Sequence, residues 1–219
     1  MTRSLAGALF NCKAGRNPRL VKAGLQAILD EHRPAFVMLQ ECTGYVPALS
    51  LLTGYRLVIH DVCGTGILVR TNVEAKFASV HRLGSVPWPY RINPRRPLKW
   101  HPRRAACKAI VDGWLDAVAI HMVPDPEHSH LRAIAYATGI RRLARYADDR
   151  LARPLLMGGD WNTPGRKDGP DTPRRLAARI AAEVTYEPGE VLYVLNRKCH
   201  VSDVRTIPGA GGSDHALFL

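Results

Sequence analysis

Five short polar groups each close an apolar run in this 219-residue chain, and their residue types suit chemistry on a phosphate ester. They are Asn11, Gln40-Glu41, His121, Gly159-Asp160-Trp161-Asn162 and Ser213-Asp214-His215. Carboxylate oxygens among them suit a hard divalent cation such as magnesium. Phosphoryl transfer needs such a cation, a base for the attacking water and donors for the charged oxygens. The richest stretch is Gly158-Gly159-Asp160-Trp161-Asn162-Thr163-Pro164. The run Pro154-Leu155-Leu156-Met157 ahead of it reads as a buried strand. Asp160 and Asn162 are two apart, so extended backbone would direct both to one side. The glycines let the backbone come close to whatever lies there, and Pro164 stops the strand. Taken alone, this stretch also reads as a strand followed by an Asx-turn. His121 alone reads as a strand-end histidine, and Glu41 alone as a solvated strand end. The five groups together favour a shared site.

The elements that must position these groups follow from periodicity. Residues 4–11 form a first strand, and Asn17-Pro18 caps a helix reaching about His32 with a stripe of Leu20, Ala23, Ala27 and Ile28. Ala35 to Glu41 is a buried strand presenting Glu41 at its carboxyl end. Strands follow at 55–60, 66–70 and 73–81. Ala105 to Val111 and Trp114 to His121 flank Asp112-Gly113, the clearest hairpin signal in the chain. Ser129 caps a helix to about Arg150, with Tyr136, Ala137, Ile140, Leu143, Ala144, Ala147 and Leu151 as its stripe. Thr172-Pro173 opens another helix to about Glu183, and short strands are expected at 191–195, 201–204 and 216–219. There is no internal repeat and no linker long enough to split the chain, so 1–219 reads as a single α/β domain. Two mixed β-sheets packed face to face with helices outside make a four-layer sandwich.

Composition bounds the partner. Hydrophobic residues make up 46% of the chain, which suits a folded globular protein. No apolar run reaches the roughly 18 residues needed to span a bilayer, and the N-terminus lacks a signal-peptide pattern. The five cysteines are odd in number and hold no C-x-x-C pair, which points to reduced thiols and a cytoplasmic setting. The formal charge of +12 favours a polyanionic partner such as nucleic acid. No protein partner is implied.

The motifs Leu9-Phe10-Asn11, Leu39-Gln40-Glu41, Ile120-His121-Met122-Val123-Pro124, Gly159-Asp160-Trp161-Asn162 and Ser213-Asp214-His215 occur in this order. In that order they resemble the endonuclease/exonuclease/phosphatase superfamily, with its pancreatic-type deoxyribonucleases and exonuclease III-like enzymes. The resemblance implies magnesium, or manganese, bound by Glu41 with Asn11 and Asp214 nearby. It implies that Asp160 orients or deprotonates the attacking water. Asn162 and His121 would hold the non-bridging phosphate oxygens, and His215 would act as a base or an electrostatic stabiliser. One position departs from the pattern. The family places an aspartate that orients the catalytic histidine where this chain has Leu192, in Val191-Leu192-Tyr193-Val194. Glu190, two residues earlier, is a possible substitute.

The segment Arg82 to Arg104 holds five prolines, seven Lys/Arg, no acidic residue, and Trp88, Tyr90 and Trp100. It reads as a long surface loop. Basic residues interleaved with aromatics suit backbone neutralisation and base stacking. Arg91, Arg95, Arg96, Lys99, Trp100, Arg103 and Arg104 are therefore the expected nucleic-acid contacts. A proline-rich loop whose tryptophans pack on the body is the competing reading. The leading function is a magnesium-dependent phosphodiesterase acting on DNA by in-line water attack. Its rivals are a phosphatase or phosphodiesterase for a small or lipid-linked phosphate, and a nucleic-acid-binding scaffold impaired at Leu192.

Overall fold

The computed structural model describes the chain outside residues 1–2, 13–16, 43, 62–63, 85–88, 91–98, 101–103, 123–129, 148–152, 163–171, 187–191, 203–205, 208–216 and 219. At some element ends, including Lys99, Trp100 and Leu192, it describes the backbone alone. In chain order the elements are β1 (Gly7–Asn11), α1 (Pro18–His32), β2 (Phe36–Gln40), α2 (Val46–Leu49), β3 (Tyr55–His60), β4 (Gly66–Arg70) and β5 (Ala75–Gly84). Then come β6 (Pro89–Tyr90), β7 (Lys99–Trp100), β8 (Arg104–Val111), β9 (Leu115–His121), α3 (His130–Ala147) and β10 (Leu155–Asp160). The chain ends with α4 (Thr172–Arg179), β11 (Glu183–Tyr186), β12 (Leu192–Arg197), β13 (Thr206–Ile207) and β14 (Leu217–Phe218).

Twelve of these strands form two six-stranded mixed sheets, ordered β13-β14-β1-β2-β4-β3 and β11-β12-β10-β9-β8-β5. In each sheet the two central strands run parallel, β1 with β2 and β9 with β10, and their neighbours pair antiparallel. Each parallel pair is joined through a helix, α1 or α3, as parallel strands require. The carboxyl ends of β1, β2, β9 and β10 are Asn11, Gln40, His121 and Asp160.

The sheets pack face to face. Leu9, Phe36, Met38, Ile67 and Val69 from the first meet Cys107, Ala109, Val111, Ala117 and Ala119 from the second in one buried cluster. Bulky residues predominate on the first inner face and small ones along β8 and β9 on the second, which lets the two faces interdigitate. The approach is closest at Gly158, where a Cβ would come within 2.8 Å of Leu9 Cδ2 and 3.0 Å of Met38 Cε. The outer faces carry two further cores, one under α1 and α2, the other under α3 and α4. The order helix, sheet, sheet, helix is the expected four-layer sandwich.

Local chemistry explains most boundaries. The Asn17 side chain accepts the Arg19 backbone N–H at 2.9 Å, and Pro18 opens α1. The helix stops at Arg33, whose left-handed backbone (φ 47°) lets its N–H donate to the Leu29 carbonyl. Asp112 and Gly113 both take the left-handed backbone (φ 50° and 70°) that an Asp-Gly turn demands.

Four expectations need correction. The buried stripe of α1 is Val21, Leu25, Ile28 and Leu29, while Leu20 is 70% exposed. The larger aliphatic side chains at spacing i, i+4, i+7, i+8 dominate over the alanines, because more apolar area leaves water. The last long helix ends at Arg179, and Glu183 begins strand β11. Val201 and Ser202 lie outside any strand. The stretch read as one loop from Arg82 to Arg104 is shorter: β5 runs on to Gly84, β6 and β7 pair as a ribbon, and Arg104 already belongs to β8. No helix among the described residues is long and apolar enough to cross a membrane.

Candidate metal and phosphate centre

Strand alternation delivers most of the site. On β9, Ala117 and Ala119 face the other sheet, so His121 two residues on shares their face. On β10, Gly158 faces Leu9 and Met38, so Asp160 follows to the same side. Leu9 on β1 and Met38 on β2 likewise put Asn11 and Gln40 on the inter-sheet face. Glu41 is out of phase with this alternation. Its left-handed backbone (φ 53°) breaks the strand and re-aims its carboxylate, whose Oε1 lies 3.9 Å from His121 Nε2. A non-glycine residue in that region costs about 1–2 kcal/mol, strain of a kind that gathers at functional sites.

Glu41, His121 and Asp160 each bring one potential ligand atom into a cluster in which all three lie within 4.8 Å of one another. Asp160 Oδ2 is 3.6 Å from His121 Nε2, and its Oδ1 accepts the Asn162 backbone N–H at 2.9 Å. That second contact is the Asx-turn. The turn and the site are therefore the same structure. Asn162 takes a left-handed backbone (φ 48°), so the extended continuation expected from its spacing to Asp160 ends early. Its carboxamide donates to the Met122 carbonyl at 3.0 Å, which ties the ends of β9 and β10 together. Asn11 is 1% exposed at the end of β1, and its register partner is Gln40, next to Glu41.

The donor set fits a hard cation. Two carboxyl groups, one 29% and one 4% exposed at the side chain, converge on one cluster, an arrangement that favours a cation between them. Oxygen donors suit magnesium or manganese. Soft ligation by the nearby thiols is disfavoured. Burial, then Asp61, pushes the Cys42 thiol up from 9.0 to about 12. Burial, then Cys42 and Glu41, raises Cys12 well above its ordinary value. Both thiols stay protonated at neutral pH, and Cys12, Cys42, Cys107 and Cys199 form no disulfide among the described residues. A raised folded-state value adds stability that is full below the unfolded value. Stability should therefore hold up to pH 9 and fall as pH rises through about 12. Melting curves across that window check this. A melting temperature that rises with alkalinity would contradict the buried neutral thiols.

The sequence reading did not anticipate the role of Arg104. It placed this residue among the nucleic-acid contacts of the loop, but Arg104 is 8% exposed and its Nη1 lies 2.8 Å from His121 Nδ1. Its guanidinium is therefore directed at an imidazole of the cluster. The hairpin register could have revealed this. Val111 pairs with Leu115 and Ala106 with Ile120, so counting back from Asp112-Gly113 brings the start of β8 beside His121.

Leu192, where the resemblance leads one to expect an aspartate, is the register partner of Asp160 on β12. Asp214, His215, Glu190, Arg91, Arg95, Arg96 and Arg103 lie outside the described residues, and of Lys99 and Trp100 only the backbone is described.

Two mixed sheets with carboxylates, an imidazole and amides at the carboxyl ends of their parallel strands define a metal-dependent hydrolase of phosphate esters. The chain belongs to the endonuclease/exonuclease/phosphatase family, whose model matches residues 8–215. Solved structures with the same fold include an endonuclease/exonuclease/phosphatase protein from Bacteroides vulgatus (15% identity, 99% of this chain and 97% of that one, TM-score 0.66). Others are an AP endonuclease from Leishmania major (12% identity, 98% and 86%, TM-score 0.65) and a mannosyl-6-phosphatase from Bacteroides thetaiotaomicron (12% identity, 98% and 98%, TM-score 0.62). No curated protein sequence matches the chain.

Proposed function

We propose that the protein is a magnesium- or manganese-dependent phosphodiesterase that hydrolyses DNA. The observation that carries the reading is the convergence of Glu41, His121 and Asp160, with ligand atoms within 4.8 Å of one another, on a chain of formal charge +12. Glu41 would hold the cation, with Asn11 and Asp214 beside it, and when bound the cation supplies positive charge to the phosphate oxygens. Asp160, nine-tenths or more buried and steadied by the Asn162 N–H, orients or deprotonates the attacking water. Water oxygen bonds to phosphorus as the leaving oxygen departs on the opposite side. His121 and Asn162 hold the non-bridging oxygens, and His215 acts as base or electrostatic stabiliser.

The polynucleotide substrate is supported by net charge and by the basic, aromatic segment around β6 and β7, to which Arg91, Arg95, Arg96, Lys99, Trp100 and Arg103 belong. Structures of similar fold include both an AP endonuclease and a sugar phosphatase, so the fold is compatible with either substrate size. The direct test incubates the protein with plasmid, abasic-site duplex, single strands and a small phosphate monoester, with magnesium and then with EDTA. Cleavage of DNA that EDTA stops is expected. Hydrolysis of the monoester alone would favour the small-phosphate reading, and tight DNA binding without cleavage would favour the scaffold impaired at Leu192.

Binding supplies a second measure. If the basic segment follows a phosphate backbone, affinity falls linearly with salt on a log–log plot. Replacing Arg95, Arg96 and Lys99 together by alanine should flatten that slope by roughly two to three units. An unchanged slope would detach the segment from the nucleic acid.

A further inference from the structure

Arg104 and His121 form a buried pair, with Nη1 2.8 Å from Nδ1. A guanidinium has five N–H donors, no acceptor, and keeps its proton in proteins. At this separation Nδ1 must present its lone pair, because a proton there would set N–H against N–H. The ring proton therefore resides on Nε2, the nitrogen that faces Asp160 and Glu41. We infer that Arg104 is a positioning residue that fixes His121 as the Nε2–H tautomer and so makes it a hydrogen-bond donor towards the Glu41 and Asp160 side of the ring.

The surroundings agree with a donor. Nε2 faces Asp160 Oδ2 at 3.6 Å from β10 and Glu41 Oε1 at 3.9 Å from the end of β2. An N–H directed at two carboxylate oxygens is favourable, whereas a lone pair in the same place would add a third negative element.

Two consequences follow. With its lone pair turned to Arg104, His121 is not a ligand for a cation, although one of its ring nitrogens lies within the 4.8 Å cluster. The cation then rests on oxygen donors, chiefly Glu41. The second consequence rests on the phosphodiesterase reading above: the Nε2–H is a preset donor for a non-bridging phosphate oxygen and needs no reorientation as charge develops there. Arg104 acts through His121 in both.

Imidazole ¹⁵N NMR on the metal-free protein tests the tautomer directly, with His121→Gln identifying the signals. The wild type is expected to show an unprotonated, pyridine-like Nδ1 and a protonated, pyrrole-like Nε2, and magnesium should leave this pattern unchanged. A proton on Nδ1, an averaged mixture, or loss of the Nε2 proton on adding magnesium would overturn the inference. Arg104→Met should admit a proton to Nδ1, while Arg104→Lys, which keeps a cationic donor, should preserve the wild-type pattern. In the cleavage assay Arg104→Met should lower kcat by roughly 10²-fold with little change in KM, and Lys should restore part of the loss. Should Arg104→Met fail to fold, the wild-type spectrum alone still decides. The spectrum needs no substrate, so failure of the cleavage assay would sink the functional reading without touching the tautomer.

Discussion

Replacing Glu41 with glutamine is expected to abolish metal-dependent hydrolysis while leaving the fold intact. The amide keeps the shape of the side chain but removes the charge that a hard cation needs. A cation at a phosphoryl centre contributes several kcal/mol to the transition state, so the loss should reach about 10³-fold in rate. The side chain is 29% exposed, so an amide of the same shape should leave the surrounding packing intact. Removing one of two converging carboxylates should, if anything, ease their repulsion in metal-free protein. The same variant has a reading independent of turnover. Magnesium should raise the melting temperature of the wild type, because ligand binding stabilises only the folded state, and that rise should vanish in Glu41→Gln. Full activity of the variant in metal-limited buffer would remove Glu41 from the centre.

The largest expected effect on stability comes from Gly159→Ala. Gly159 has φ 150°, and a Cβ built on it would stand 2.1 Å from the Ile120 carbonyl oxygen. Backbone, not a flexible side chain, is in the way. Gly159 pairs with Ile120 on the rung immediately before Asp160 and His121. The added methyl would force β9 and β10 apart where their ends present the site. A cost above about 4 kcal/mol is expected, enough to leave little folded protein, with any folded remainder inactive. Gly113→Ala is the matched control. It too has positive φ, 70°, but nothing lies within 4 Å of its Cβ, so only backbone strain of about 1–2 kcal/mol should appear. Denaturant melts of both proteins decide the matter. If Gly159→Ala unfolds no more readily than Gly113→Ala, β9 and β10 have more freedom than their register implies.

What the sequence determined by itself was the list of strand ends and the residue types that close them. Buried strands in mixed sheets are nearly continuous apolar runs, so the points where Asn11, Gln40, His121 and Asp160 end such runs stand out without coordinates. Asn17-Pro18 and Asp112-Gly113 fixed a helix start and a hairpin, because their backbone demands are local. The stripe of α1 was less legible, since alanines and leucines at helical spacing offer two overlapping faces and only the sheet beneath decides which is buried.

The tertiary structure alone decided how those ends meet. Nothing local says that β1 and β2 lie across from β9 and β10, or that Glu41 must break its alternation to reach His121. That turn costs strain and brings the Glu41 carboxylate to His121. Nor did local pattern separate Arg104 from its basic neighbours. By composition it closes a solvent-facing run, but by register it begins the strand beside His121. Charge and spacing are properties of a segment, whereas the partner of a side chain is set by residues distant in sequence, which only packing brings within hydrogen-bond reach.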